Sequence, residues 1–222
     1  MPLRRFPGYY FEGGFSLDRI AAGVRRFQSE VFPAKREIYE KLATEQRPHT
    51  LFITCGDSRV DPEVLTQSDP GEIFVERNPG NIVPDYNLRT TGGVSASIEF
   101  AVSALRVQRI IVCGHSDCGA MRGLLQPERV ANLPAVSHWL DFSATARNRL
   151  GQEMAASHVA NPMRRLTELN VLQQIENLHT HPSVIDKLRE NKLAIHGWFY
   201  EIHSGSVAAF NENSNQFEPW PQ

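Results

Sequence analysis

TLFITCGDSRVDP, residues 50–62, decides the layer type of this chain. Its first half, TLFITC, is short, largely apolar and β-branched, which is the pattern of a buried strand. The chain then turns through Gly56. Asp61 followed by Pro62 marks a helix start: an oxygen to cap the first N–H groups, and a proline at the first helical position, where an N–H is not needed. Strand, polar turn and helix in so few residues predict an α/β architecture.

The same pattern recurs downstream. EIFVER (72–77) predicts a second strand and RIIVCG (109–114) a third. Between them GGVSASIEFAVSAL (92–105) predicts a helix of small residues with Val94, Ile98, Ala101 and Leu105 on one side. Upstream, Leu17, Ile20, Val24, Phe27 and Val31 step by three and four, a helical face with Ser16 as N-cap. Pro33 is expected to break that helix, and a second runs to about Ala43. Helices dominate from Gly119 to about Asn191, punctuated by Pro127, Pro134, Pro162 and Pro182. LAIHGWFYEIHSGSVAAFNEN (193–213) predicts a long strand, a Ser-Gly-Ser turn and a return strand. The expectation is a mostly parallel sheet flanked by helices, with an N-terminal helical arm and a C-terminal β-hairpin. Residues 1–15, with five aromatics (Phe6, Tyr9, Tyr10, Phe11, Phe15), are expected to form an irregular arm, and residues 16–222 a single domain.

Bulk properties narrow the function classes. The chain has 222 residues, a hydrophobic fraction of 41% and a formal net charge of −2. That charge gives no long-range attraction for nucleic acid or an anionic membrane, so neither is expected as a partner. Three cysteines argue against a disulfide framework and for a reducing compartment. No secretory leader and no membrane-spanning run is read from the sequence, so the expected location is the cytoplasm.

The chemistry concentrates in two turns. CGDSRVDP (55–62) follows the first strand and CGHSDCG (113–119) the third. In a parallel sheet both open at the carboxyl edge, where ligand sites form. Cys55, His115 and Cys118 then supply two thiolates and an imidazole, a donor set that suits zinc. Asp57 offers a displaceable fourth ligand, which points to a catalytic rather than a structural site. Arg59, two residues on, can hold Asp57 off the metal by a fork–fork pair. Cys113 lies inside the strand and is read as core. The other histidines lack a second donor nearby and are read as surface or satisfied core residues.

Both metal motifs, together with GEIFVERNPGNIVP (71–84), GGVSASIEFAVSAL and LAIHGWFYEIHSG, resemble the β-class carbonic anhydrases, most nearly the cyanobacterial and plant-like branch, over roughly residues 17–212. The resemblance implies a Rossmann-like α/β fold, one Zn²⁺ per chain, and reversible hydration of CO₂ to bicarbonate by attack of zinc-bound hydroxide. It implies a homodimer or a multiple of dimers. It assigns Cys55, His115 and Cys118 as ligands and Asp57 with Arg59 as a catalytic dyad, Asp57 ligating zinc only in a closed, inactive state. It also implies that Gln46 is the substrate-side amide, reaching the partner's site, and that Phe74, Pro79 and Phe100 line the CO₂ pocket. Phe52 stands where the family's bicarbonate-regulated members carry Trp, so a non-allosteric type is expected. The long C-terminal tail of the carboxysomal members has no counterpart before Gln222, so no such tether is expected. Two rivals are a hydrolase of CS₂ or COS on this scaffold and a silent zinc protein serving assembly; Asp57, Arg59 and Gln46 speak against the second.

Overall fold

The computed structural model describes residues 17–87 and 92–220, in two compact units that meet in sequence between Glu45 and Gln46. The aromatic arm predicted for 1–15 and the Ser16 cap lie outside the described residues.

The first unit is helical: α1 (Leu17–Arg26), a π-helical turn (Phe27–Val31), α2 (Phe32–Ala34) and α3 (Arg36–Leu42). Pro33 does not break it where the sequence suggested. It sits in the first turn of α2, where no N–H is required, and the break falls at Lys35 (φ −114°, ψ 20°). The rings of Phe27, Phe32 and Tyr39 pack at centroid distances of 5.3–6.2 Å. The stripe Ile20, Val24, Phe27 and Val31 is instead exposed.

The second unit is a six-stranded sheet in the order β2-β1-β3-β4-β5-β6. Its strands are β1 (Thr50–Cys55), β2 (Ile73–Asn78), β3 (Arg109–His115), β4 (Ala194–Glu201), β5 (Ser206–Asn211) and β6 (Gln216–Pro219). β2, β1, β3 and β4 are mutually parallel; β5 and β6 return antiparallel. The sheet, its parallel core and the β4–β5 hairpin match expectation. β6 does not: QFEP offers one apolar side chain and ends in proline, so it carries no alternation to read, and its place at the sheet edge tolerates the proline.

Helices α4 (Pro62–Thr66), α5 (Gly93–Glu99), α6 (Gly119–Leu125), α7 (Pro134–Leu140), α8 (Ala144–Ala156), α9 (Pro162–Leu178) and α10 (Pro182–Arg189) complete the unit. Asp61 caps α4 as read, accepting from the Val64 N–H at 3.1 Å. One face of the sheet presents Leu51, Ile53, Ile110 and Val112 to Val94, Ile98 and Val102, and to Val171 and Leu178 of α9. On the other, Phe52, Ile111 and Cys113 meet Leu65, Val75, Trp198 and Tyr200. β1 is therefore buried on both faces, which is why its sequence shows no polar alternation. α9 lies close on the sheet: a Cβ at Gly114 would stand 2.8 Å from Thr167 Cγ2 and 2.9 Å from Val171 Cγ2. No described helix is long and apolar enough to cross a membrane.

Candidate metal centre

The pairing of β1 with β3 sets Thr54 beside Cys113, so Cys55 at the end of β1 opens at the same edge as His115. Cys118 follows at the N-terminal boundary of α6. The two sulfurs, Cys55 Sγ and Cys118 Sγ, stand 3.8 Å apart. With a His115 ring nitrogen they form a buried trio whose donor atoms all lie within 4.8 Å of one another. His115 Nδ1 is 2.9 Å from the Ser116 carbonyl, to which it donates. That fixes the tautomer with the lone pair on Nε2, and Nε2 is buried without a hydrogen-bond partner. A buried nitrogen without a partner beside two thiols is costly unless something binds there.

The sulfurs are prepared unequally. Cys55 is pulled down to about 4, first by a hydrogen bond from Cys118, then by His115 and by the Gly80 and Asp57 N–H groups, against its burial. Gly80 N–H donates to Cys55 Sγ at 3.3 Å. Cys118 is pushed up by its neighbour Cys55 and by burial, while the N–H groups of Met121 and Ala120 act the other way. Cys113 is elsewhere: it packs against Phe52 and Ile111, and burial pushes its thiol up to about 12.

Asp57 and Arg59 form the fork read from their spacing. Arg59 Nε donates to Asp57 Oδ1 at 3.0 Å and Nη2 to Oδ2 at 2.8 Å; the Arg59 N–H adds a third bond to Oδ1 at 3.0 Å. The guanidinium holds the Asp57 carboxyl well below the usual carboxylate range. Asp57 Oδ2 lies 3.9 Å from His115 Nε2, beside the trio and outside it.

Residues with no signal in sequence build the surround. Arg77 on β2 donates to the Asp57 carbonyl at 2.7 Å and to that of Cys55 at 3.2 Å, clamping the first turn. The loop after β2 carries Pro79 and Gly80. Trp139 Nε1 donates to the Pro79 carbonyl at 2.8 Å, and Asn170 Nδ2 to the Gly80 carbonyl at 3.0 Å. Asn170 belongs to a row of amides on α9: it accepts from Ser143 and Gln174, Gln174 accepts from the Val83 N–H, and Asn177 donates to the Val83 carbonyl. The loop that supplies the Gly80 N–H to Cys55 is thus held from α9. Asp117, between the two ligands of the second turn, is left-handed (φ 56°), and its carboxylate meets Arg59 and Arg122. A polar residue inside CGHSDCG was visible; its partners were not, since they lie on other elements.

The pocket residues fall in a different place. Phe74 pairs with Leu51, four positions before Cys55 on β1, and its ring packs 6.1 Å from that of Phe100, which is 47% exposed. Gln46 is exposed before the start of β1, at the end of the strand away from Cys55. Of the predicted pocket, only Pro79 lies in a loop that bonds the trio in the same chain, through the neighbouring Gly80 N–H to Cys55 Sγ.

Comparison with known proteins agrees over this whole region. A family model described as carbonic anhydrase matches residues 50–207. A carbonic anhydrase of Pseudomonas aeruginosa is 47% identical over 198 residues, 89% of this chain and 89% of that protein. A carbonic anhydrase of Synechococcus elongatus is 41% identical over 90% of this chain and 73% of that protein. Among solved structures, the β-carbonic anhydrase CcaA superposes with a TM-score of 0.88 at 38% identity, covering 92% of this chain and 99% of that one. A tetrameric β-carbonic anhydrase of Sordaria macrospora gives 0.70 at 32% identity, covering 88% and 93%.

Proposed function

The chain belongs to the β-class carbonic anhydrases, and on that premise we propose that it hydrates CO₂ reversibly to bicarbonate and a proton at a zinc ion held by Cys55, His115 and Cys118. As a member of that class it is a carbonate dehydratase, a lyase. The observation that carries the zinc assignment is the buried trio, two sulfurs and a histidine nitrogen with no other partner. Two thiolates and an imidazole suit zinc, and three protein donors leave a fourth position open. When bound, zinc lowers the pKa of a coordinated water from 15.7 to about 7 and so supplies hydroxide near neutral pH.

The chain's own residues do the rest. Asp57 Oδ2 stands 3.9 Å from His115 Nε2, beside the donors that would hold the metal. Held ionised by Arg59, it accepts hydrogen bonds and donates none. Its task is to accept from the attacking water and so fix the direction of that water's lone pair. Released from Arg59, the same carboxylate would be free to serve as a further ligand to the metal and so close the site. CO₂ is small and apolar, so it needs a dry wall and one donor. We assign the wall to Phe74, Phe100 and Pro79 and the donor to the Gln46 amide, with Gln46, Phe74 and Phe100 reaching the site of a second subunit.

Distance supports that partition. A strand rises about 3.3 Å per residue, so β1 alone separates Gln46 from Cys55 of the same chain by well over 10 Å. The exposed apolar stripe Ile20, Val24, Phe27 and Val31 also supports assembly as a homodimer or a multiple of dimers. Three free cysteines fit a reducing compartment, and the cytoplasm is the location we infer.

The test is stopped-flow CO₂ hydration on chelated and zinc-reconstituted protein, with metal analysis of Cys118→Ser and Cys113→Ala. Activity is expected to follow zinc, to be lost with it in Cys118→Ser, and to survive in Cys113→Ala. Turnover that persists after chelation, or wild-type zinc content in Cys118→Ser, would refute the assignment.

A further inference from the structure

The fork of Asp57 and Arg59 is one half of a longer chain of charges. Arg59 Nη1 donates to Asp117 Oδ2 at 3.3 Å and Nη2 to the Asp117 carbonyl at 3.1 Å. Asp117 Oδ1 in turn accepts from Arg122, on α6. Asp57, Arg59, Asp117 and Arg122 therefore alternate in sign from the edge of the trio out to the first helix behind it.

Each link bears on how firmly Asp57 is held. Arg59 is 45% exposed on its side chain, and a half-exposed arginine paired with one carboxylate has other rotamers open to it. Its guanidinium bonds Asp57 along one edge through Nε and Nη2; Asp117 takes the opposite side through Nη1 and the remaining hydrogen of Nη2. Four of the five N–H groups are then engaged, and a network holds its members better than isolated pairs do. The backbone adds a second argument. Asp117 is left-handed at φ 56°, a conformation in which glycine is unstrained. What the aspartate brings to this position is its carboxylate.

We propose that Asp117, braced by Arg122, is a positioning residue that keeps Arg59 on Asp57 and so sets how often Asp57 crosses to the metal and closes the site. The inference rests on the assignment of Asp57 and Arg59 made above. It gives the second metal-binding turn a control over the carboxylate of the first.

Crystal structures of zinc-loaded wild type, Asp117→Gly, Asp117→Asn and Arg122→Gln at one pH read the position of Asp57 directly. Zinc content, melting temperature and CO₂ turnover are measured on the same preparations. Asp117→Gly keeps the backbone comfortable, so zinc content and melting should hold. Asp57 should appear on zinc in part of the molecules, and turnover should fall about tenfold, the effect of one lost charge-assisted hydrogen bond. Asp117→Asn keeps an acceptor for Arg59 and should recover most of the wild-type rate. Arg122→Gln decides the case independently, because it leaves the turn itself intact and should move Asp57 the same way to a lesser degree. Asp57 remaining on Arg59 in both Asp117→Gly and Arg122→Gln, with turnover near wild type, overturns the proposal. Arg59→Ala separates the two levels. It should cost about 10²–10³ in rate, as for a charged oriented group lost from a dry site. Arg59→Lys should not restore it, since the ammonium lacks the fork. If Arg59→Ala costs the rate while Asp117→Gly does not, the dyad stands and Asp117 does not govern it. If Arg59→Ala is also silent, the dyad assignment itself fails.

Discussion

Cys55 and Cys118 are chemically alike and positioned alike, yet they hold their protons differently. With Cys55 near 4 and Cys118 well above the ordinary thiol, the pair keeps one proton between two sulfurs across the neutral range. A metal that takes both as thiolates must displace that proton. Zinc uptake by metal-free protein at pH 6, below the pKa of a zinc-bound water, is therefore expected to release about one proton per chain from the two sulfurs rather than two. Calorimetry in buffers of different ionisation enthalpy counts it. The sign follows from the depressed value: the sulfurs' count stays near one through the neutral range and rises toward two as acid returns a proton to Cys55. Release of two protons at pH 6 would show that the sulfurs do not share. At this scale much of the site was legible. Cys55, His115 and Cys118 are uncommon neighbours for Gly, Asp and Arg, and their order along two strand-ending turns was enough to predict that they meet. Asp117 was quoted without being read, because its partners Arg59 and Arg122 are brought to it by the sheet edge and by α6, and neither contact leaves a trace in local spacing.

α9 does two jobs at once. Its apolar side, with Val171 and Leu178, packs on the sheet, while Asn170, Gln174 and Asn177 reach the loop that bonds Cys55. Both depend on how closely the helix approaches, and at Gly114 that approach leaves no room for a Cβ. Gly114→Ala places a methyl against Thr167 and Val171, and overpacking of this kind costs about 1–3 kcal/mol. Denaturant unfolding should show that loss. Zinc affinity should fall with it, since Gly114 adjoins His115. A variant as stable as wild type would mean that α9 yields easily. Elements of this kind explain what sequence could and could not say. β1 and β3 were plain from their apolar runs, and the Asp61–Pro62 start of α4 from its chemistry. The π-helical turns at Phe27–Val31 and Phe100–Ala104 were not, because a widened turn keeps the residue preferences of an ordinary helix. The polar side of α9 reads as solvent-facing, since amides on a helix give no sign of which backbone groups they will satisfy.

For the molecule as a whole, the decisive expectation is that no chain completes its own site. Co-expression tests it. Gln46→Ala leaves a chain with a sound metal trio and a missing donor; Cys118→Ser leaves a sound donor and no trio. Each homodimer should be nearly inactive. Random pairing makes half the dimers mixed, each with one complete site of two, so about a quarter of wild-type activity should return. Activity no greater than the sum of the separate variants would place Gln46 outside the partner's site.

The parallel pairing of β1 with β3 has a consequence for the order in which this protein is made. The Cys55 and Cys118 sulfurs lie 63 residues apart in sequence, and they meet only when two strands with two helices and a third strand between them have docked side by side. Such non-local pairings form slowly, because the intervening loop must close before any contact rewards it. Neither turn alone holds more than two of the three donors. Metal therefore has little to grip in the nascent chain, and it arrives at a structure that already exists. Zinc should lengthen the life of the native state without hastening its formation. A cell short of zinc would accumulate a folded, empty protein that can be charged later, rather than an unfolded one to be destroyed.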